Sequence, residues 1–157
     1  MNMLMKKLAG MLLCAAVAFG SVAAPAKKAE MEKKIDALLQ KMTLEEKIGQ
    51  LNQQTGTGYS DAMVNAVKGG AVGSILNEVD PEIVNKLQKE AVENSRLGIP
   101  LVFARDVIHG FKTIFPIPLG QAATWNPALV EQGARIAAEE ASSVGIRWTF
   151  SPMVDVS

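Results

Sequence analysis

Five stretches of the chain place apolar residues at intervals of three and four positions, which is the spacing of amphipathic helices. Start signals support four of them: Thr43 and Glu46 form a capping box, Ser60 is a cap before Asp61, and Asp80 and Asn126 each precede a proline at the first helical position. Polar residues occupy the opposite side of each stretch, so each helix is expected to keep one face in water. The predicted helices cover residues 31–42, 44–51, 61–68, 81–97 and 127–144.

Three short runs combine apolar and β-forming residues without strict alternation, which is typical of strands buried on both faces of a parallel sheet. They lie at residues 72–76, 100–104 and 147–151. The stretches 52–59 and 107–124 are rich in glycine, proline and polar residues, and they are predicted to be loops.

The order of these elements predicts the fold class. A helix lies between successive strands, and each connection is long enough for a right-handed crossover between parallel neighbours. We therefore expect an α/β fold with a parallel sheet. Hydrophobic periodicity leaves two architectures open: the first part of a (β/α)8 barrel, or half of an open doubly wound sheet.

The first 26 residues have the order of a secretory signal peptide. Lys6 and Lys7 precede an apolar run over residues 8–19, which is too short to span a bilayer. Alanines then stand at residues 24 and 26, the two positions that a signal peptidase reads, so cleavage is predicted before Lys27. We expect a periplasmic or secreted protein that has no membrane attachment after cleavage.

Charge and cysteine content exclude other classes of partner. The chain has 16 basic and 16 acidic residues and no basic block, so no nucleic-acid partner is expected. Its one cysteine, Cys14, lies in the predicted leader, and the mature chain would then hold neither a disulfide nor a thiolate metal site. One histidine and scattered carboxylates do not make a metal-ligand set, so neither a metal nor a cofactor is expected.

The most concentrated group of chemically active residues follows the strand predicted at 100–104. Arg105, Asp106 and His109 stand at its carboxyl end, where parallel α/β folds bind their ligands. Asp106 is predicted either to bind a ligand or to cap a turn. His109 is expected to satisfy backbone groups beneath the loop, and Arg105 to be an ion-pair partner of Asp106.

A second carboxylate, Asp155, follows the third predicted strand in the equivalent position. Two carboxylates at one edge suggest the acid and nucleophile of a glycosidase, although Asp155 could equally cap a turn. Trp125 and Trp148 could stack on a sugar ring, or Trp148 could belong to the core.

Five segments, in this order and at this spacing, make the chain from about residue 31 onward resemble the N-terminal part of family 3 glycoside hydrolases, and most nearly their periplasmic β-glucosidase group. The segments are MTLEEKIGQL at 42–51, SRLGIPL at 95–101, DVIHG at 106–110, TIFP at 113–116 and SPMVDVS at 151–157.

The resemblance implies a fold and an activity. Residues 27–157 would be a truncated (β/α)8 domain with about three of its eight strands, which an α/β sandwich domain would follow. The activity would be retaining hydrolysis of terminal non-reducing β-D-glucosyl residues of oligosaccharides. Xylosidase and exo-glucanase activities stay open, since other parts of these enzymes set the preference for linkage and aglycone.

The resemblance also implies roles for single residues. Asp106 would bind non-reacting hydroxyls of the terminal sugar, while Asp155 would be structural. Arg105 and His109 would support the site without touching the sugar, and His109 would serve as loop scaffolding. No catalytic residue is expected in this chain, because the family's nucleophile and acid/base follow the segment that ends at Ser157.

The sequence is therefore interpreted as a fragment of an exported β-glucosidase that is inactive by itself. The alternative is a non-catalytic exported sugar-binding or interaction module. The coding sequence beyond Ser157 separates the two, because only the first requires it to continue into the family's later motifs.

Overall fold

The computed structural model describes residues 23–154 of the 157-residue chain, and its side chains from Lys27 onward. The predicted leader falls mainly outside these residues and stays a prediction, as does the role of Asp155. The chain divides into two compact units with the boundary after Met42. No helix in the described range is long and apolar enough to cross a membrane.

The first unit contains helix α1, Ala23–Lys41. It begins eight residues before the position that apolar spacing predicted. The added segment consists mostly of alanine, lysine and glutamate, which are strong helix formers even where no apolar stripe is present. Pro25 lies in the first turn, where its missing N–H has no intrahelical partner to lose.

The second unit alternates helices with short strands. Its elements, in chain order, are α2 (Leu44–Leu51), β1 (Gln53–Thr55), α3 (Asp61–Lys68), β2 (Ser74–Leu76), α4 (Pro81–Asn94), β3 (Val102–Arg105), α5 (Pro118–Ala122), α6 (Pro127–Ser143) and β4 (Trp148–Thr149). The predicted starts of α2, α3, α4 and α6 are confirmed. Each is set by a local signal, because the preceding side chain accepts a hydrogen bond from the first turn.

The four strands form one parallel sheet in the order β1-β2-β3-β4. Ser74 pairs with both Gln53 and Val102, and Ala104 pairs with Trp148. The predicted parallel sheet is confirmed. The strand order does not reverse anywhere in this sheet, whereas a doubly wound sheet reverses at its switch point.

Two elements were missed by the sequence analysis. Strand β1 lies in the predicted loop 52–59, and helix α5 lies in the predicted loop 107–124. Within residues 23–154 the sheet therefore has four strands instead of the three expected. The residues Gln-Gln-Thr of β1 carry no apolar pattern, and parallel pairing with β2 is what holds them extended.

One hydrophobic core lies between one face of the sheet and helices α3, α4 and α6. Phe103, Ile75 and Leu87 are its largest fully buried side chains. Burial of one such side chain stabilises the fold by about 1.5–3 kcal/mol. The core comprises Met63, Val67, Val72, Ile75, Val84, Leu87, Ala91, Leu101, Phe103, Val107, Ala137, Ala141, Val144 and Ile146.

Helix α2 is held against this layer by close backbone approach and by an ion pair. A Cβ on Gly49 would lie 1.9 Å from the carbonyl oxygen of Gly70, so only glycine fits at this contact. Glu46 completes the capping box with Thr43 and also accepts hydrogen bonds from Arg96, beyond α4. The Arg96 guanidinium lowers the pKa of Glu46 to about 2.

Candidate functional site

The carboxyl ends of β2 and β3 lie side by side at one edge of the sheet. The Asn77 N–H, just beyond β2, donates to the Ala104 carbonyl 2.9 Å away, which continues the ladder by one bond. On the other side of β2, the Gly56 N–H donates to the Leu76 carbonyl at 2.7 Å. The residues that follow these strands therefore share one rim, which we call the carboxyl rim.

Asp106 directly follows β3 and its side chain is exposed on this rim. Its carboxylate forms no hydrogen bond or ion pair with residues 27–154. The backbone beneath it is nevertheless fixed, because Val107 is buried in the core and its carbonyl accepts a 3.0 Å hydrogen bond from Ser151 Oγ. The backbone of Asp106 is thus held in place, and neither oxygen of its carboxylate accepts a hydrogen bond from residues 27–154.

Arg105 does not form the expected ion pair with Asp106. Successive residues of a strand point to opposite faces, and Arg105 lies on the face of Phe103, toward the helices. Its Nη1 lies 3.4 Å from Asn77 Oδ1, and its guanidinium carbon lies 5.7 Å from the centre of the Phe111 ring. Arg105 therefore joins the end of β2 to the loop that follows Asp106.

His109 belongs to a closed loop over residues 109–115, which we call the rim loop. Its Nδ1 lies 3.0 Å from the Phe115 carbonyl oxygen, and the Phe115 N–H donates to the His109 carbonyl at 2.7 Å. Gly110 pairs with Ile114 in an antiparallel bridge and has a φ of 122°, which side chains rarely adopt. His109 thus closes the base of this loop.

Glu140 on α6 holds the tip of the rim loop, and the sequence analysis missed it. Its Oε2 accepts hydrogen bonds from the Lys112 and Thr113 N–H groups, both at 2.8 Å. Its Oε1 accepts one from Thr113 Oγ1 at 2.6 Å. The Thr113 side chain, followed by the backbone donors, lowers the pKa of Glu140. No local signal distinguishes Glu140 from its neighbour Glu139, because its partners lie 27 and 28 residues away.

Glu78 is a second carboxylate that the sequence analysis missed. It follows β2, is buried, and accepts hydrogen bonds from three backbone N–H groups: Gly58 at 3.2 Å, Val79 at 3.1 Å and Asp80 at 3.3 Å. These bonds tie the loop after β1 to the turn that begins α4. A glutamate directly after an apolar strand and before an Asp-Pro helix start is the only sequence signal for it.

The two tryptophans differ in their surroundings. The Trp148 ring packs against Phe150, with the ring centres 4.9 Å apart and the planes tilted by 59°. Trp125 precedes α6 with a φ of 53°, and its side chain is 92% exposed. Neither contact pattern assigns a sugar-stacking role.

A cavity of about 870 Å³ lies between the start of the rim loop, α6 and β4. Its walls are mainly apolar and include Val107, Phe115, Ala137 and Trp148, but not Asp106. The carboxylate of Asp106 and this cavity are therefore separate features. Within the described range, no group of three or more histidine, cysteine, aspartate or glutamate side chains is placed to hold a metal ion.

Comparison with known proteins places the chain in a family. Residues 43–157 match the model of the glycosyl hydrolase family 3 N-terminal domain. The chain is 43% identical over 122 residues to the periplasmic beta-glucosidase of Salmonella typhimurium, an alignment that covers 76% of this chain and 16% of that protein.

Solved structures give the same result. The crystal structure of the beta-glucosidase from Listeria innocua in complex with gluconolactone superposes with a TM-score of 0.69 at 34% identity, covering 80% of this chain and 19% of that one. A beta-glucosidase of intestinal bacteria involved in saponin metabolism superposes with a TM-score of 0.59 at 44% identity, covering 74% and 15%. The chain thus spans 15–19% of the length of these three relatives, and it belongs to glycosyl hydrolase family 3.

Proposed function

We propose that this chain supplies the first part of the catalytic domain of a β-glucosidase, and that Asp106 binds hydroxyl groups of the terminal sugar. The observation that carries the proposal is the state of Asp106: an exposed carboxylate without a partner among residues 27–154, on a backbone fixed by Val107 and Ser151. It stands at the edge of a parallel sheet where this class of fold binds ligands.

The strand order supports a barrel. Over β1 to β4 each strand pairs with the next in sequence, as the strands of a (β/α)8 barrel do. Asp106 continues the alternation of Val102 and Ala104, so it lies on the sheet face away from α3, α4 and α6. In a closed barrel that face is the interior, and the carboxyl rim is the mouth. The chain would then hold four of the eight strands.

The proposed chemistry of Asp106 is binding. An ionised carboxylate only accepts hydrogen bonds, and its two oxygens can accept from two neighbouring sugar hydroxyls. Each such charge-assisted bond contributes about 1.5–3 kcal/mol. Asp106 would thereby orient the glucosyl ring, while the nucleophile and the acid/base of a retaining mechanism come from sequence that the relatives have beyond the matched share.

The comparisons support β-glucosides as the substrate class. The named relatives include β-glucosidases, and the Listeria innocua enzyme has been solved with glucose and, as a mutant, with laminaribiose. Two further relatives carry the names putative beta-xylosidase and beta-xylosidase, so a xyloside is the substrate to compare.

Export is part of the proposal. The order of residues 1–26 and the name of the Salmonella typhimurium relative both favour a periplasmic or secreted location. N-terminal sequencing of the exported protein should begin at or within a few residues of Lys27. Exported protein that still begins at Met1 would contradict the leader assignment.

The function is tested with a chimaera. The aligned segment of the Salmonella typhimurium enzyme is replaced by the corresponding residues of this chain, and release of nitrophenol from nitrophenyl β-glucoside and β-xyloside is measured. We expect the glucoside to be hydrolysed, because the exchanged segment is 43% identical over 122 residues to the segment that it replaces. A second chimaera that exchanges only residues 100–117 serves if the larger exchange does not fold.

The controls separate the two function classes. The chain alone, residues 27–157, should show no turnover, since the reactive carboxylates would be missing. A folded chimaera without turnover would contradict the β-glucosidase proposal. Tight binding of laminaribiose by the chain alone, together with an inactive chimaera, would establish the sugar-binding module instead.

A further inference from the structure

We propose that Glu140 is a positioning residue for sugar binding: it fixes the rim loop, and through this loop it holds the segment that carries Asp106. The inference rests on the proposed function, since it concerns how Asp106 is presented to the sugar. Glu140 itself lies on α6 and contacts the loop tip, so no contact with the sugar is required of it.

The first step is the convergence of donors on one carboxylate. Two backbone N–H groups and one hydroxyl of the loop tip reach the two oxygens of Glu140 at 2.6–2.8 Å. Short bonds to an ionised acceptor are the stronger class of protein hydrogen bond. The tip of the rim loop is therefore attached to a helix that packs on the core through Ala137 and Ala141.

The second step is the rigidity of the loop itself. Its base is closed by the two contacts between His109 and Phe115, and its middle by the bridge between Gly110 and Ile114. A Cβ on Gly110 would lie 2.0 Å from the Thr113 carbonyl oxygen, which shows how closely the two sides approach. A displacement of the tip therefore moves the whole loop.

The rim loop is connected to Asp106 through the residues on either side of it. Phe111, within the loop, packs against the core and lies beneath the guanidinium of Arg105, the residue before Asp106. On the other side, Val107 is held by Ser151 and lies two residues before the rim loop begins at His109. Arg105 is thus held by a contact that depends on where the rim loop lies, and Val107 connects Asp106 to this loop through the chain.

The geometry also supplies a conservative variant. In Glu140→Gln the amide oxygen can accept from the backbone N–H groups, and the amide N–H can donate to Thr113 Oγ1. The contacts then persist without the charge. Glu139 is the matched control, because it is the neighbouring exposed carboxylate of α6 and its side chain forms no hydrogen bond or ion pair with the described rim loop.

The experiment is steady-state kinetics on the chimaera with nitrophenyl β-glucoside. Glu140→Ala should lower kcat/KM about three- to tenfold, mostly through KM, because the sugar-binding carboxylate loses its fixed orientation. Glu140→Gln should recover most of the loss, and Glu139→Ala should match the parent. Equal losses in Glu140→Ala and Glu139→Ala would overturn the proposal.

A double-mutant cycle with Asp106→Asn distinguishes a positioning role of Glu140 from a purely structural one. The cycle compares the loss of kcat/KM caused by Glu140→Ala in the presence and in the absence of the Asp106 carboxylate. If Glu140 acts through Asp106, then Glu140→Ala should cost less than about twofold once Asp106 is already asparagine. The same fold loss in both backgrounds would overturn the positioning role while leaving the sugar-binding role of Asp106 intact. If Asp106→Asn leaves kcat/KM unchanged, both the positioning role of Glu140 and the sugar-binding role of Asp106 are overturned.

A second variant covers failure of Glu140→Ala to fold. Thr113→Val keeps the side-chain volume and removes only the hydroxyl that donates to Glu140. It should raise KM by about twofold in the parent and leave KM unchanged in the Asp106→Asn background. A change of the same size in both backgrounds would overturn the proposal.

Discussion

Glu78 and Asp106 are carboxylates that follow neighbouring strands at the same rim of the sheet, yet their surroundings are opposite. Glu78 is buried and accepts three backbone N–H groups. Asp106 is exposed and makes no hydrogen bond or ion pair with the rest of the described chain. Position at the end of a strand therefore does not separate a structural carboxylate from a candidate binding residue. The hydrogen bonds that the carboxylate oxygens already accept make this distinction.

The difference has a cause in how each loop is capped. The chain after β2 turns at once into α4, so its free N–H groups point to the side chain at the turn, Glu78. The chain after β3 enters the rim loop, whose donors are satisfied by Glu140 and by contacts between His109 and Phe115. The backbone donors of this loop therefore do not use the Asp106 carboxylate, which forms no hydrogen bond or ion pair within residues 27–154.

The largest expected effect comes from removing the buried carboxylate. Glu78→Ala leaves three backbone N–H groups without their acceptor, and one unsatisfied buried donor alone costs about 1–3 kcal/mol. We expect a lower thermal unfolding temperature of the chimaera by calorimetry, and loss of activity that follows unfolding. Glu93→Ala, which removes an exposed carboxylate of α4, is the control and should change the unfolding temperature little.

Asp106→Asn should act on kinetics instead of stability. Loss of a charge-assisted bond of about 1.5–3 kcal/mol corresponds to a decrease of about ten- to a hundredfold in kcat/KM for an aryl β-glucoside. The unfolding temperature should stay close to that of the parent, since the exposed carboxylate forms no hydrogen bond or ion pair with residues 27–154. Unchanged kinetics in a folded variant would contradict the sugar-binding role of Asp106.

The smallest expected effect concerns Glu46, a carboxylate satisfied by an ion pair. Its pKa falls from 4.5 to about 2 in the folded chain, chiefly because of Arg96. A lowered pKa stabilises the fold above pH 4.5, and this contribution is lost as the pH falls from 4.5 to about 2. Glu46→Gln should therefore flatten the stability profile over that window and match the parent below it. Parallel acid-unfolding profiles of parent and variant would contradict this assignment.

Much of the fold was predictable because its signals are local. The capping box at Thr43 set the start of α2, and the buried runs around Ile75 and Phe103 gave the central strands. Strand β1 was not predictable, since its polar residues are extended only through pairing with β2. The sheet rather than the segment determines its structure.

The site was predictable to the same extent. Asp106 was singled out because it directly follows a buried strand, which is a property of its own neighbourhood in sequence; its sugar-binding role stays a prediction. Arg105 was assigned the wrong partner, since Asn77 and Phe111 are brought to it by β2 and by the rim loop. Glu140 was missed for a similar reason, because its contacts form only when α6 packs beside that loop.

The most direct test of the central claim pairs Asp106 with the sugar hydroxyls themselves. Aryl β-glucosides that each lack one non-reacting hydroxyl are compared in the chimaera with Asp106 and with asparagine in its place. For at least one hydroxyl, the parent should prefer the complete sugar by about tenfold or more, and Asp106→Asn should lose most of that preference. The same preference at every hydroxyl in both proteins would show that Asp106 binds none of them, and would contradict the account.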